Sequence, residues 1–507
     1  MEKKLKAVIL AAGLGSRLKP ITNDKPKALV KVCGKPILEY QIESYLKAGL
    51  KEKDITIVVG YKGSKIKEFC NKKFPNVKII ENRNFAATNN MYSLFLYLKD
   101  AFFKQNLKED LIINNGDCIY DPSIVSDIVK TDGNLIACDT YSFRIESMKV
   151  KCTGEGRLGE ISKEISKENT FAVSIDLYRF SYNAVQELWK IVKGYIKKGE
   201  CNKWTEVAIN DLMKIVDVKP FDIGKRKWAE IDDLEDLLYA EKVFSKFDYK
   251  RKKVFVLDLD GTLYLGNKVF YKTIEFINKN WNNFKFYFMT NNTSRSRKSY
   301  LYKLRSLGLK YVNIDNLLTP FYPLVEYLKQ KNFNTVYCLC TQDFTQELQA
   351  EGINCIAEPK SVDNIQAVIV GFDIELTYEK LKQASLLLQN RNIEFLLTHL
   401  DKTCPLENGF IPDAGSIAGV LEEVTGRKPN KVFGKPSKEI LVPVLKKYKP
   451  DEIVIVGDRL YTDKVLADNA NIDFILVLSG ETRREDVEKE NTFPVLILKS
   501  LEEVDEI

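Results

Sequence analysis

In Val254-Phe255-Val256-Leu257-Asp258-Leu259-Asp260-Gly261-Thr262-Leu263 an apolar run ends in two carboxylates separated by one residue, so both fall on the same side of an extended chain. Such a pair can divide the labour of a displacement at phosphorus. Asp258 suits the nucleophile, and Asp260 suits an acid that protonates the leaving oxygen and then activates water. An anionic nucleophile approaches an anionic substrate only beside a cation, which calls for Mg²⁺ at this place. A second chemical candidate lies near the start of the chain. There an apolar run passes into Ala11-Ala12-Gly13-Leu14-Gly15-Ser16-Arg17-Leu18, followed by Pro20, Thr22 and Lys25-Pro26-Lys27-Ala28-Leu29. Glycines at the carboxyl end of a strand let backbone N–H groups approach phosphate oxygens, and Arg17 and Lys27 can then bind a triphosphate. A dinucleotide fingerprint requires glycine at position 18, where Leu18 stands, so that reading is disfavoured.

The elements that must position these residues follow from the apolar pattern. Runs rich in Val and Ile at Ala7 to Leu10, Ile55 to Val59 and Leu111 to Ile113 alternate with stretches of helical period, the pattern of an α/β domain with a mainly parallel sheet. The pattern restarts after a helix expected over Leu234 to Phe247 and the basic stretch Lys250-Arg251-Lys252-Lys253. New strands are expected at Val254 to Leu257, Phe286 to Met289, Ile453 to Val456 and Phe474 to Leu478. At 507 residues the chain exceeds what one core serves, and a boundary near residues 245–252 leaves each half long enough for its own core. The 45% hydrophobic and 29% charged composition excludes a disordered or fibrous chain. A dispersed net charge of +7 gives no footprint for DNA or RNA, so small anions are the expected partners.

The ten cysteines are scattered, and Cys338 and Cys340 lack the spacing of a zinc knuckle or a redox pair, so reduced thiols are expected. Lys3, Lys4 and Lys6 before Ala7 to Ala12 imitate a signal peptide, but the apolar run is short and Arg17 and Lys19 stand where a cleavage site belongs. No run approaches a membrane span, and a cytoplasmic location is the expectation.

The stretch from Leu10 to Leu29, continued by Gly34-Lys35-Pro36-Ile37-Leu38, resembles the signature of sugar-phosphate nucleotidyltransferases. Asn115-Gly116-Asp117 and Trp228-Ala229-Glu230-Ile231-Asp232 with Asp236 look like that family's two metal-binding segments. The resemblance implies Mg²⁺ on Asp117 and on Glu230 or Asp232, a choice that spacing leaves open. Phosphate binding would fall to Ala12, Gly13, Gly15 and Ser16, with Arg17 and Lys27 as catalytic cations. Phe85 and Thr88-Asn89-Asn90-Met91-Tyr92-Ser93-Leu94 look most like the choline-phosphate cytidylyltransferase branch, which implies CTP as donor and Thr88, Asn89 and Asn90 at the substrate. Asn89 and Asn90 also suit a polar helix start. Tyr178, Trp204 and Trp228 can offer faces to a quaternary ammonium ion, or can serve as core. An ionised acceptor phosphate needs no base to attack the α-phosphorus, and the one histidine, His399, lies in the other half, so a Ser-His-Asp mechanism is unavailable here.

The later half, over residues 252 to 495, resembles the haloacid dehalogenase superfamily, with the Asp258/Asp260 segment as its first signature. Met289-Thr290-Asn291-Asn292 then supplies a phosphate-binding hydroxyl and Gly434-Lys435-Pro436 a charge-stabilising lysine. Gly457-Asp458-Arg459-Leu460-Tyr461-Thr462-Asp463 supplies acidic metal-site residues, with Asp458 as the ligand beside Asp258 and Asp260. The resemblance further implies an α/β cap inserted after the second signature, at about 331–414. Its marks are Gly371-Phe372-Asp373, Thr377-Tyr378 and Pro412-Asp413-Ala414-Gly415-Ser416. Where the subgroup commonly has Asn after Thr398, this chain has His399, expected as a structural hydrogen-bonder or a substrate contact.

The expectation is therefore an α/β chain, with a Rossmann-like nucleotidyltransferase domain over 1–246 and, over 252–507, a haloacid dehalogenase-type Rossmannoid core with an inserted α/β cap. The two sites would use Mg²⁺. One would join CTP to a small phosphorylated alcohol, either a polyol, aminoalkyl or sugar phosphate, with release of pyrophosphate. The other would hydrolyse a small phosphoester through an aspartyl-phosphate, on a shared route to a cell-surface polymer. The competing expectations are a sugar-1-phosphate transferase using UTP or dTTP, and a chain in which one half only senses a ligand or supports the other.

Overall fold

In the computed structural model, residues 5–105, 107–143, 145–153, 156–356, 364–406 and 409–506 are described; Lys3 and Lys4 lie outside them. The chain divides into two units, Met1–Ser245 with Glu488–Phe493, and Lys246–Val487 with Pro494–Ile507. The assignment of Glu488–Phe493 to the first unit has no signal in the local sequence.

The first unit is built on strands β1 (Leu5–Ala11), β2 (Ile55–Val59), β3 (Lys78–Glu81), β4 (Asp110–Asn115), β5 (Cys118–Tyr120), β6 (Leu135–Asp139), β7 (Lys149–Cys152), β8 (Leu158–Ser162), β9 (Ala172–Phe180), β10 (Lys219–Asp222) and β11 (Trp228–Glu230). Nine of them form one sheet ordered β8-β7-β9-β4-β1-β2-β3, with β6 pairing both β9 and β10. The segments β5 and β11 make a separate antiparallel pair. Strands β1 to β4 run parallel, as their near-continuous apolar runs demand. Strand β9 runs antiparallel to its neighbours β4, β6 and β7, while β10 pairs β6 in parallel, so the sheet is mixed where the sequence suggested a mainly parallel one. Alternate residues of β1 feed opposite cores: Val8 and Leu10 join Leu94, Leu98 and Ile113, while Ala7, Ile9 and Ala11 join Leu38, Ile57 and Ile112.

The turn after β4 shows why Asn-Gly-Asp occurs there. The Gly116 N–H donates to the Leu10 carbonyl at 2.9 Å. A Cβ on Gly116 would stand 2.8 Å from Ala11 Cα and 3.0 Å from that carbonyl oxygen. Glycine therefore lets the turn carrying Asp117 lie directly on the end of β1.

In the second unit β12 (Val254–Asp258), β13 (Lys285–Met289) and β14 (Leu317–Leu318) precede a separate domain, formed by β15 (Thr335–Leu339), β16 (Asn354–Ile356), β17 (Ala367–Val370), β18 (Glu394–Leu397) and β19 (Lys431–Val432). The chain then returns through β20 (Ile453–Gly457), β21 (Asp473–Val477) and β22 (Leu496–Leu498). The core sheet is ordered β14-β13-β12-β20-β21-β22 and the inserted sheet β16-β15-β17-β18-β19, both parallel throughout. The inserted sheet takes its last strand from Lys431–Val432, past the limit near residue 414 that the sequence suggested. The three central core strands end at positions singled out for chemistry: β12 at Asp258, β13 before Thr290, β20 before Asp458. That is the carboxyl edge where parallel sheets bind ligands. No helix among the described residues is long and apolar enough to cross a membrane, and the ten cysteines are free.

Ile113 lies fully buried in β4 beside β1. Ile113→Ala should cost about 2–5 kcal/mol, read as a lower urea midpoint for the variant by circular dichroism.

Two candidate active sites

In the first unit a cleft of about 290 Å³ opens at the ends of β1 and β4. Ala12, Gly13, Arg17 and Lys27 line one side, with Asp117, Glu230 and Asp232 beside them; Thr88, Asn89 and Asn90 line another part. Sequence positions more than 200 apart thus meet in one cavity. Gly15 and Ser16 belong to the same turn, but not to the residues lining the cleft.

Lys27 holds the carboxylates together. Its Nζ lies 2.8 Å from Asp117 Oδ2 and 2.6 Å from Asp232 Oδ1, and Arg17 reaches Asp232 Oδ2 at 2.7 Å. Burial alone would lower the Lys27 pKa, but Asp117 and Asp232 carry it above its ordinary value. Glu230 is the opposite case: burial first, then Asp176, Asp117 and Asp232, push its carboxyl up to about 9. Three carboxylates lining one cleft are the oxygen donors Mg²⁺ prefers, so the set fits that ion chemically, with Asp117 and Glu230 or Asp232 as donors.

Asn89 caps the helix Asn90–Phe103, its side chain accepting from the Asn90 N–H at 2.9 Å. Asn90 Oδ1 accepts from the Thr205 N–H at 2.8 Å, tying the start of the helix Thr205–Met213 to the same cleft. The pair therefore serves as the polar helix start and also lines the cleft. Of the three aromatics suggested for a cationic ligand, only Trp204 lines the cleft. Tyr178 is buried with its ring stacked on Phe180 at 6.5 Å, and Trp228 donates its Nε1–H to Asp139 at 2.7 Å.

Sequence reasoning missed Asp176, Glu206 and Lys163, which also line the cleft. A lone acid in the apolar run Ala172–Phe180 was the available signal for Asp176. Glu206 in a helix's first turn resembles any dipole-complementing acid, and Lys163 any surface lysine. The Tyr178 hydroxyl lies 3.0 Å from Asp176 Oδ1 and 2.8 Å from Glu206 Oε1.

In the second unit Lys435 plays the part of Lys27. Its Nζ contacts Asp258 Oδ1 and lies 2.7 Å from Asp463 Oδ1, all three buried. Asp258, Asp458 and Asp463 each bring a carboxylate oxygen within 4.8 Å of the others. Asp458 Oδ1 is buried without a partner, and a Cβ on Gly261 or Gly480 would overlap the Asp458 carboxylate. An orphaned oxygen in a cradle of glycines fits a small oxygen-seeking cation such as Mg²⁺. Burial and the Asp463 charge hold Asp458 up at about 6, and burial holds Asp258 well above the carboxylate range. The Asp260 carboxylate does not belong to the metal-ligating set suggested by spacing. Burial raises its pKa against the opposing charges of Lys303 and Arg459, as suits an acid that carries a proton.

Asn291 accepts from the Lys435 N–H at 2.7 Å and donates to the Lys435 carbonyl and to Asp401, both at 3.1 Å. Thr290 is buried at the end of β13. His399 is fully buried, with Nε2 at 2.8 Å from Asp413 Oδ1 and Nδ1 at 3.0 Å from Thr398 Oγ1. Both ring nitrogens are engaged, so the imidazole acts here as a strut rather than as a free group for a substrate.

Comparison with known proteins agrees with the two-unit division. Residues 6–130 match the nucleotidyl transferase family, residues 255–354 the haloacid dehalogenase-like hydrolases and residues 432–504 a HAD-hydrolase-like family. An acid sugar phosphatase of Staphylococcus saprophyticus is 33% identical over 260 residues, covering 50% of this chain and 97% of the relative. A 5'-nucleotidase of Bacillus subtilis is 31% identical over 258 residues, covering 50% of this chain and 98% of the relative. A solved 4-nitrophenylphosphatase from Thermotoga maritima is 36% identical, covering 51% of this chain and 98% of its own, with a TM-score of 0.47.

Burial, and then the charge of Glu206, raise the Asp176 carboxyl to about 7. Between its unfolded pKa near 4 and that value the folded chain keeps a proton that the unfolded chain releases. This group's contribution therefore favours folding at low pH and is lost as pH rises to about 7. Relative to the unsubstituted chain, Asp176→Asn should gain stability between pH 4 and pH 8, by a few kcal/mol at most. Paired thermal melts across that range check it.

Proposed function

The chain belongs through its C-terminal half to the haloacid dehalogenase-like hydrolases and carries a nucleotidyl transferase domain in its N-terminal half; from that premise we propose that its two clefts run two reactions on one metabolic route. The first transfers a cytidylyl group from CTP to a small phosphorylated alcohol. The second hydrolyses a small phosphoester.

One observation carries the transfer reading: the glycine turn, Arg17, Lys27, Asp117, Glu230 and Asp232 line a single cleft. The Gly13 turn, Arg17 and Lys27 receive the triphosphate, and the acceptor phosphate oxygen attacks the α-phosphorus as pyrophosphate leaves. Arg17 and Lys27, paired with carboxylates in the free protein, turn to the phosphates and balance their charge. Mg²⁺ held by Asp117 with Glu230 or Asp232 would supply the remaining neutralisation. The choice of CTP rests on the resemblance of Thr88 to Leu94 to the cytidylyltransferase branch.

In the second unit Asp258 attacks the phosphorus of the ester and Asp260 gives its proton to the departing oxygen. Asp260 then takes a proton from water, which attacks the aspartyl-phosphate and frees inorganic phosphate. Lys435 balances the charge on Asp258 and on the transferred group, while Thr290 and Asn291 fix the phosphate. Mg²⁺ on Asp258, Asp458 and Asp463 would screen nucleophile from substrate. An acid sugar phosphatase and a 5'-nucleotidase among the relatives support a small sugar- or nucleotide-like phosphoester as substrate. The fusion supports one route, in which the phosphatase makes or removes an intermediate of the same cell-surface precursor.

Asp117→Ala should lower CTP-dependent pyrophosphate release by about 10³-fold or more and leave phosphate release intact. Asp258→Asn should do the reverse. Mass spectrometry with CTP, UTP and dTTP against polyol, aminoalkyl and sugar phosphates reads the product. Faster turnover of a sugar 1-phosphate with UTP or dTTP would replace the cytidylyl assignment. Loss of neither activity in either variant would favour a sensing role.

A further inference from the structure

Deep in the transfer cleft lies a charge arrangement that the triphosphate chemistry does not use. Asp176 and Glu206 are 6% and 3% exposed and both line the cleft; among the described residues neither forms an ion pair, and the one cation of the cleft whose charge acts on Glu206, Lys163, offsets only part of the burial that raises its pKa. They share the Tyr178 hydroxyl, which owns one proton and so cannot donate to both carboxylates at once. Asn115 donates to Asp176 Oδ2 at 2.7 Å. Among the described residues Glu206 Oε2, buried in the cleft wall, has no hydrogen-bond partner.

The backbone holds this arrangement at a cost. Asp176 has φ +58°, a left-handed conformation that non-glycine residues avoid. It sits where β9 slips register against β6 between Ser174 and Tyr178. Bulges of this kind re-aim a side chain, and strain at a cleft wall is kept where function needs it.

Resting on the transfer reading of this cleft, we propose that the acceptor phosphate carries an ammonium group with N–H donors, an aminoalkyl phosphate, and that Asp176 and Glu206 select it. An N–H-bearing cation supplies what the geometry lacks: a donor for Glu206 Oε2, and a positive charge between two acids bridged by one hydroxyl. The elevated pKa of Asp176 agrees with a pair short of positive charge. A quaternary ammonium has no N–H and would leave Glu206 Oε2 orphaned; it favours several aromatic faces instead. Phe85 and Trp204 are the aromatics lining the cleft, and Lys163 Nζ already lies 5.4 Å from the Trp204 ring centre. A neutral polyol offers donors but no charge, leaving two buried carboxylates uncompensated.

The test uses the full chain carrying Asp258→Asn, so that the phosphatase does not consume acceptors. Nucleotide-linked product is measured with 2-aminoethyl phosphate, its N-trimethyl counterpart choline phosphate, and neutral glycerol phosphate, each with CTP, UTP and dTTP. With whichever donor works, 2-aminoethyl phosphate should exceed both others in kcat/KM by at least about tenfold. Adding Glu206→Gln, or separately Asp176→Asn, should shrink that ratio toward one. Equal or better use of choline phosphate or glycerol phosphate overturns the inference and leaves the transfer reading standing. Absence of product from every pair overturns the transfer reading, and calorimetric binding then decides the inference alone. Tighter binding of 2-aminoethyl phosphate than of ethyl phosphate supports it, and equal binding sinks it. Should a variant fail to fold by circular dichroism, the acceptor comparison with Asp258→Asn alone gives the answer.

Discussion

Both units face the same electrostatic problem, that of gathering several carboxylates at one strand edge, and both meet it with one lysine, half-buried in the first unit and buried in the second. Lys27 bridges Asp117 and Asp232, and Lys435 bridges Asp258 and Asp463. Where such an arrangement is buried, removing one partner leaves charge uncompensated, a loss of about 3–5 kcal/mol as measured in other proteins. The two lysines are therefore structural before they are chemical. Each must keep its carboxylates from expelling one another until a phosphate and a metal take over the balance.

The sheets dictate where these charges can meet. A parallel strand delivers its last side chains to the same edge as its neighbours, so β1 and β4 bring the glycine turn and Asp117 together, and β12, β13 and β20 bring together Asp258, Thr290 and Asp458. The side chains behind that edge are apolar and closely packed, leaving the acids little room to relax. Glycine at 116 and at 261 removes the Cβ that would push strand end and carboxylate apart. Gly261 also takes φ +86°, which other residues reach only with strain.

What the sequence made legible was chemistry written within a few adjacent residues. The turn after β1, Asn115-Gly116-Asp117 and Asp258-Leu259-Asp260 each combine an apolar strand end with a charged or glycine-rich turn, and local spacing alone marks them. The parallel strands were legible for the same reason, being short, apolar and bounded by turns. Asp176 and Glu206 were not, because their significance comes from a register slip in β9 and from a helix entering from 30 residues away, neither of which leaves a local pattern. For Tyr178 and Trp228, composition left a ligand face and a core role both open, and packing decides. Their composition suits a cationic ligand, but packing on Phe180 and a bond to Asp139 use the ring of one and the N–H of the other. The mixed character of the first sheet was equally hidden, since β9 is as apolar as its parallel neighbours while running against them.

The transfer cleft is consequently polarised along its length. At the glycine turn, Arg17 and Lys27 pair directly with the carboxylates; at Asp176 and Glu206 no ion pair forms among the described residues, and Lys163 on the same cleft acts on Glu206 only weakly against its burial. A ligand bearing only negative charge is drawn to the first end and repelled by the second, which under the proposed transfer would give a triphosphate one favoured orientation. Charge of the two signs at separate ends orients both partners of a transfer before any contact forms with the reacting atoms. Orientation of that kind lowers the entropic part of the barrier without a dedicated base. The wall that achieves it is maintained against its own repulsion and against a strained backbone at Asp176, and a fold selected for stability alone would have replaced both acids with apolar residues.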